Sequence, residues 1–130
     1  MYFVSGYPKV ILRLEGLSVL LVSLLAYKYC SHSWKAFFIM FFLPDLSMLG
    51  YFINKTAGSI IYNIFHSYTS PLILGLVSYS YYPHLQYLTF IWIAHIGFDR
   101  MLGFGLKYKD GFRSTHLGHI GKQHPAPSHD

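Results

Sequence analysis

Charged residues are scarce in this chain: Asp, Glu, Lys and Arg make up 12% of its 130 residues, whereas roughly a quarter of a soluble domain is charged. Cysteine occurs once, as Cys30, which excludes an internal disulfide and a cysteine-based metal site. The P-loop, the GxGxxG fingerprint and the GxSxG elbow are all missing. These absences exclude the common soluble nucleotide-binding enzymes and the α/β serine hydrolases.

Hydrophobic residues are abundant instead, at 53% of the sequence, and this composition predicts a protein that resides in a lipid bilayer. The net charge of +5 does not indicate nucleic-acid binding, because the Lys and Arg residues flank apolar segments rather than lining one polar face. We therefore predict the lipid bilayer as a partner and no nucleic acid, and we leave homo-oligomerisation open.

The apolar residues form four segments, which predict an all-α, four-helix transmembrane bundle with short loops and a polar C-terminal tail. The predicted spans cover residues of about 10–29, 34–52, 58–82 and 85–106. Residues 1–121 would form one integral membrane domain, and the composition of residues 122–130 predicts a disordered tail.

Two of the predicted spans carry internal irregularities. Pro44, near the middle of the second span, should kink the helix. In the third span, four polar residues at helical spacing predict one continuous stripe: Ser59, Asn63, His66 and Ser70.

The fourth segment places His95, Asp99 and Arg100 inside an otherwise apolar helical run. A charge in the hydrocarbon core costs several kcal/mol, so such residues face a protein interior or a water-filled cavity. His95 and Asp99 are four residues apart and therefore share one helix face. Arg100, one residue further on, points elsewhere.

Glycines near the end of the fourth segment predict close helix packing. Gly97, Gly103 and Gly105 would let neighbouring backbones approach, as small residues do where helices pack in lipid.

The basic residues predict the orientation of the bundle. With four spans both termini lie on one side of the membrane, and only Lys28 and Lys35 fall on the opposite side. The other eight of the ten basic residues lie on the side of the termini: Lys9, Arg13, Lys55, Arg100, Lys107, Lys109, Arg113 and Lys122. Both termini should therefore be cytoplasmic.

Ionisable and amide side chains from all four segments fall at similar depth, counted at about 1.5 Å per residue from the cytoplasmic ends. They are Glu15, Asp45, Asn63, His66, His95 and Asp99. Neighbouring helices run in opposite directions, so sequence spacing alone does not force this agreement. It predicts one polar site that opens toward the cytosol.

Two carboxylates and two imidazoles in this set, Asp45, His66, His95 and Asp99, suit a divalent Zn, Mn or Fe ion. We predict that they are metal ligands. Structural alternatives remain for two of them, since His66 could hydrogen-bond across a helix pair and Asp45 could cap a broken half-helix.

Four further residues are assigned indirect roles. Glu15 or His116 is predicted to carry protons as a catalytic group, and Asn63 and Arg100 are predicted to support the site. Here too structural alternatives remain: Glu15 could pair with an arginine, Asn63 could join two helices, and Asp99 could pair with its neighbour Arg100.

Five ordered motifs resemble the small bacterial membrane-protein family known as domain of unknown function 4260. They are VILRLEGL at residues 10–17, FLPDLSMLGY at 42–51, YNIFH at 62–66, AHIGFDR at 94–100 and GFRSTHLG at 111–118. The resemblance spans residues of about 10–121 and implies a multi-pass protein of the bacterial inner (plasma) membrane. It implies no chemistry, because the family has no established activity.

A more remote resemblance is chemically more specific. The order Leu-Pro-Asp45, then His66-Ser67, then His95-x-x-x-Asp99 is similar to the YdjM-type predicted membrane-bound metal-dependent hydrolases. A His-Arg pair usually precedes the histidine-serine element there, and this chain has Ile-Phe instead. The resemblance implies a metal-dependent hydrolase in which the metal set departs from the family pattern.

Three functions compete at this point. The first is a membrane-embedded metal hydrolase whose ligands hold one or two ions that activate water. The second is a small transporter or proton-relay component, since intramembrane Asp and His residues also serve that purpose. The third is a non-catalytic membrane module whose polar network only fixes the register of the helices.

Overall fold

A computed structural model describes residues 6–30 and 32–106, together with the backbone of residues 114–115 and 118–119. Within this part, five α-helices follow one another: α1 (Gly6–Tyr29), α2 (Trp34–Met40), α3 (Lys55–His66), α4 (Thr69–Tyr81) and α5 (Gln86–Leu102). Two 3-10 helices, Leu43–Phe52 and Pro83–Leu85, lie between them. The all-α prediction is confirmed.

Two short strands follow the helices, beyond the last predicted span. Strand β1 (Ser114–Thr115) pairs antiparallel with β2 (Gly118–His119), with Ser114 opposite His119. The predicted tail at 122–130 lies outside the described residues.

The second predicted span is two helices of different type. The α-helical hydrogen bonds end near Phe41, and the 3-10 helix starts at Leu43, directly before Pro44, which has no N–H to donate. A 3-10 helix rises about 2 Å per residue, so α2 and this helix together reach about 30 Å, the thickness of a hydrocarbon core. The predicted distortion at Pro44 is therefore present as a change of helix type.

The third predicted span is broken, and the continuous polar stripe predicted along it is wrong. Helices α3 and α4 are bent by 48° at Ser67 and Tyr68. Pro71 explains the break, because its ring would clash with a helical carbonyl at Ser67. Ser70 lies in the first turn of α4, and its hydroxyl donates to the carbonyl of Ile64 at the open end of α3. It therefore caps the break instead of extending the stripe.

Helix α5 packs against α1 through two glycines. A methyl group added at Gly16 would lie 2.8 Å from the Gly97 carbonyl oxygen, and one added at Gly97 would lie 2.9 Å from the Gly16 carbonyl oxygen. The predicted role of Gly97 in close packing is confirmed.

Gly103 has a different role from the one predicted. Its φ of 91° is left-handed, and it ends α5. The N–H of Phe104 donates to the Asp99 carbonyl at 2.8 Å, and that of Gly103 donates to the Arg100 carbonyl at 3.0 Å. These are the two bonds of a Schellman motif. Gly105 is buried.

An aromatic core joins α1, α2 and α5. It consists of Tyr27, Phe37, Phe41, Ile91 and Ala94. The Tyr27 hydroxyl donates to the Ser33 carbonyl at 2.6 Å and so fixes the turn between α1 and α2. Phe41 reaches further, because its ring packs edge-on against His95 at 5.1 Å.

Two of the helical stretches, Gly6–Tyr29 and Trp34–Phe52, are long and apolar enough to cross a membrane, and the bent pair α3 and α4 would make a third. Helix α5 has 17 residues and is about 25 Å long, short of a hydrocarbon core of about 30 Å. The four-span bundle is therefore not confirmed. Many large apolar side chains point outward, among them Val22, Phe38 and Leu76 at 66%, 66% and 72% exposure, which suits a lipid environment.

Candidate metal centre

Three helix segments bring together all four side chains that the sequence predicted as metal ligands. Asp45 lies in the first turn of the 3-10 helix after Pro44, and His66 is the last residue of α3. His95 and Asp99 extend from one face of α5. One ligand atom from each residue lies within 4.8 Å of all the others. Their role as metal ligands stays a prediction.

The two imidazoles face each other and the two carboxylates. The Nε2 atoms of His66 and His95 are 3.2 Å apart. From Asp45 Oδ1 the distances are 3.1 Å to His66 Nε2 and 3.2 Å to His95 Nε2. From Asp99 Oδ2 they are 3.5 Å and 3.2 Å respectively.

These separations match the edges of a metal tetrahedron. Four atoms placed tetrahedrally at 2.0 to 2.1 Å from a zinc ion lie about 3.3 to 3.4 Å from one another. The five separations run from 3.1 to 3.5 Å. All four ligand atoms lie within 4.8 Å of one another, so the donor types and five of the six edges are compatible with a single divalent ion.

A backbone contact fixes the proton of His66. Its Nδ1 lies 2.9 Å from the Tyr62 carbonyl oxygen, which can only accept, so Nδ1 carries the hydrogen and Nε2 of a neutral ring presents its lone pair to the cluster. The Tyr62 ring also stacks on the His66 ring at 3.7 Å. Metal-bound histidines usually have such a partner behind them.

On the side of its ring away from the cluster, His95 is held by packing and not by a hydrogen bond. Its side chain is 2% exposed, and Phe41 covers one edge of its ring. Its Nδ1 is buried and has no hydrogen-bond partner among the described residues. The geometry of His95 therefore depends on the aromatic core of α2 and α5.

The two carboxylates differ in access. The Asp99 side chain is 12% exposed, whereas that of Asp45 is 32% exposed. Asp45 therefore lies at the open side of the cluster, and Asp99 closes the opposite side together with the two buried imidazoles. The cap alternative for Asp45 is not supported, because Phe42 occupies the N-cap position of the 3-10 helix and Asp45 Oδ1 lies beside the two imidazoles.

Arg100 supports the cluster from outside it. One guanidinium nitrogen donates to the His66 carbonyl at 2.8 Å, and another donates to the Phe104 carbonyl at 3.1 Å. It thereby ties the end of α3 to the turn after α5. The pairing of Arg100 with Asp99 that the sequence left open is replaced by these two carbonyl contacts.

Of the other predicted residues, the structure describes Asn63 and Glu15 but not His116. Asn63 is half-buried one turn before His66. Glu15 is exposed on α1, outside the group that could hold a metal. His116 lies outside the described residues. The proton-carrier roles of Glu15 and His116 stay predictions.

Sequence reasoning missed two neighbours of the site, Tyr62 and Phe41. Tyr62 precedes His66 by four residues, so helical spacing alone could have placed its carbonyl behind the imidazole. Phe41 left no such signal, because its contact with His95 joins segments distant in sequence.

The model of the family described as Domain of unknown function (DUF4260) matches residues 9–120 of the chain. Comparison with curated proteins and with solved structures gives no significant match. The resemblance to the YdjM-type predicted hydrolases stays an expectation. The family match covers almost the whole chain, including every helix that contributes to the cluster, so the chain belongs to the DUF4260 family.

Proposed function

We propose that this protein is a membrane-embedded, metal-dependent hydrolase in which Asp45, His66, His95 and Asp99 hold one divalent ion. The observation that carries the proposal is the set of ligand separations, five of which match tetrahedral edges while a backbone carbonyl turns the His66 lone pair inward. Zinc suits this geometry best, and Mn and Fe share its ligand preferences.

Charge balance supports a metal over protons. Two carboxylates among buried side chains carry a charge of −2, which a divalent cation neutralises. Two protonated imidazoles would also neutralise it, but the Nε2 atoms of His66 and His95 are 3.2 Å apart. At most one proton fits between these two Nε2 atoms, and two protonated imidazoles so close together would repel each other.

The ligands divide the chemistry between them according to access. A bound divalent ion would supply Lewis acidity and a more acidic water. Asp45, at the open side, is the ligand placed to give up its coordination position to the attacking water, to accept a proton from that water and to return it to the leaving group. The hydroxide bonds to the acyl or phosphoryl centre, and the proton goes to the leaving group when the bond between the two breaks.

A structural network is the second candidate, favoured by the hydrogen-bond distances between each imidazole and a carboxylate. One shared proton and several hydrogen bonds would then fix helix register without any metal. A transporter or proton relay is the third, because broken helix ends also build ion sites in transporters. Neither requires tetrahedral spacing of the ligand atoms.

We further propose that the protein crosses the bacterial inner membrane several times and has both termini in the cytoplasm. Its proposed partners are the lipid bilayer and a second copy of the chain. With α5 as a fourth span, the excess of basic residues on the side of the termini supports this orientation. Reporter fusions after Asp130 and within residues 31–33 should report opposite compartments. A periplasmic C-terminus would contradict the orientation.

Metal analysis of the protein purified in detergent tests the hydrolase proposal. We expect about one divalent ion per chain and hydrolysis of an ester substrate that stops on chelation. His95→Ala should lose the metal and still insert into the membrane. His32→Ala is the matched control, because His32 is exposed and stacks on Tyr87 away from the cluster. Folded wild-type protein that takes up no metal would favour the structural network.

A further inference from the structure

An apolar cavity of about 230 Å³ lies beside the ligand cluster. Eight side chains from α2, the 3-10 helix, α3, α4 and α5 line it, and all of them are apolar or, like Trp92, mainly so. Water would find few hydrogen-bond partners there. The cavity is therefore suited to an apolar occupant.

The cavity shares its wall with the cluster. Pro44 and Phe65 line it, and the residues that follow them are the ligands Asp45 and His66. Ile91, also in the wall, lies one helical turn before His95. The four ligands themselves do not line the cavity, so an occupant would lie against the residues that precede the ligands in the chain.

The exposed residues of the wall indicate what can enter the cavity. Leu43 and Phe65 in the wall are 51% and 40% exposed, so the cavity opens to the surroundings of the helices. Those helices include the candidate membrane spans, which in a bilayer would be surrounded by acyl chains. The indole N–H of Trp92 donates to the Phe65 carbonyl at 2.7 Å and fixes the wall to the end of α3.

We propose that the cavity binds the hydrocarbon chain of a lipid ester and places its ester bond at the Asp/His cluster. This substrate class rests on the proposed hydrolase function. The volume is below the roughly 300 to 1,000 Å³ of pockets for drug-sized ligands, which suits one slender chain. Hydrolysis would transfer hydroxide from water to the ester carbonyl or phosphorus, and the leaving alcohol would take the proton.

Alkyl hydroxamates of increasing chain length test the proposal on Co²⁺-loaded protein in a fixed detergent. Binding to the ion is followed by visible absorption. Affinity should rise about fourfold per methylene, equivalent to about 0.8 kcal/mol, until the chain outgrows the cavity.

Leu74→Phe fills the cavity wall, and Leu76→Phe is its control, because Leu76 on the same helix is 72% exposed. Leu74→Phe should bind acetohydroxamate as the wild type does and lose the chain-length dependence. If affinity in Leu74→Phe still rose with chain length as in the wild type, the rise would come from the detergent and not from the cavity. This result would overturn the proposal. Failure of the protein to bind cobalt would instead overturn the metal site.

Tryptophan quenching tests occupancy without any metal. Trp34 and Trp92 are the two tryptophans, so Trp34→Phe leaves only the cavity residue. A brominated alkyl chain should quench Trp92 saturably, and Leu74→Phe should abolish this saturation. Linear, unsaturable quenching would overturn the proposal. Quenching that rises on dilution would overturn it too, because a second copy of the chain would then cover the cavity.

Discussion

The two sides of α5 make different kinds of contact. On one side Gly97 meets Gly16 of α1, and two continuous helices touch backbone to backbone. On the other side His95 and Asp99 meet Asp45 and His66, which lie at helix discontinuities. On the first side, the two backbones leave no room for a larger side chain. On the second side, the ligands lie at separate helix ends, so each can change position without moving the others. Close packing on one face thus holds α5 in place for the polar contacts on the other.

The largest effect is expected from Gly16→Leu. A side chain there would begin 2.6 Å from Arg100 Cβ and 2.7 Å from the Met101 backbone nitrogen, so α1 and α5 must separate, at a cost of about 3 kcal/mol. Folded yield and thermal stability in detergent should fall sharply, and bound metal should fall with them.

Gly75→Ala is the control for this change. Its added methyl group would meet Thr89 Cγ2 at 3.1 Å, a side-chain atom that can move. Equal losses in Gly16→Leu and Gly75→Ala would show that the contact between α1 and α5 is not special.

The next prediction separates the two carboxylates on the polar side. Asp99→Asn should weaken metal binding by about a hundredfold or more, because it removes a buried charged ligand. Asp45→Asn should retain most of the metal and lose about a hundredfold or more in hydrolysis, since Asp45 is the base at the open side. Metal titration and ester hydrolysis on the same preparations check both. Identical behaviour of the two variants would contradict the division of roles.

The polar side could be predicted from sequence to the extent that its signals are local. His95 and Asp99 share a face by spacing alone, and Pro44 marks the distortion beside Asp45. The break after His66 escaped detection because polar residues continue at helical spacing as far as Ser70. The spacing of polar residues gives no information about where the backbone hydrogen bonds of a helix end.

The apolar side was harder to predict. Gly97 suggested close packing, but its partner Gly16 lies on another helix, and no local pattern connects them. The fourth span stays unconfirmed for a related reason: the predicted span continues to Leu106, whereas the left-handed turn at Gly103 ends α5. Tertiary distances and the chain's turns decide these features.

Arg100→Lys should have a moderate effect that is confined to the polar side. Lysine keeps the charge but cannot hold the carbonyls of His66 and Phe104 together with one planar group. Metal affinity should fall about tenfold, as for other residues that position ligands. The control is Arg13→Lys, whose guanidinium donates to the Met101 carbonyl on the other side. A similar loss of metal affinity in Arg13→Lys would show that Arg100 does not act through His66.

The smallest effect is expected where the two sides share one boundary, the end of α5. Gly103→Ala has room for the new methyl group, since its nearest neighbour is Lys9 Cε at 4.0 Å. The φ of 91° is nevertheless unfavourable for alanine, at a cost of about 1 kcal/mol. Because the cost is conformational, it should lower the midpoint of thermal unfolding by about 3 °C and leave metal stoichiometry unchanged. Leu102→Ala, at a neighbouring position with a 44% exposed side chain, should shift the midpoint less. Equal shifts would mean that the turn at Gly103 adopts another conformation at little cost, and that the end of α5 constrains neither side.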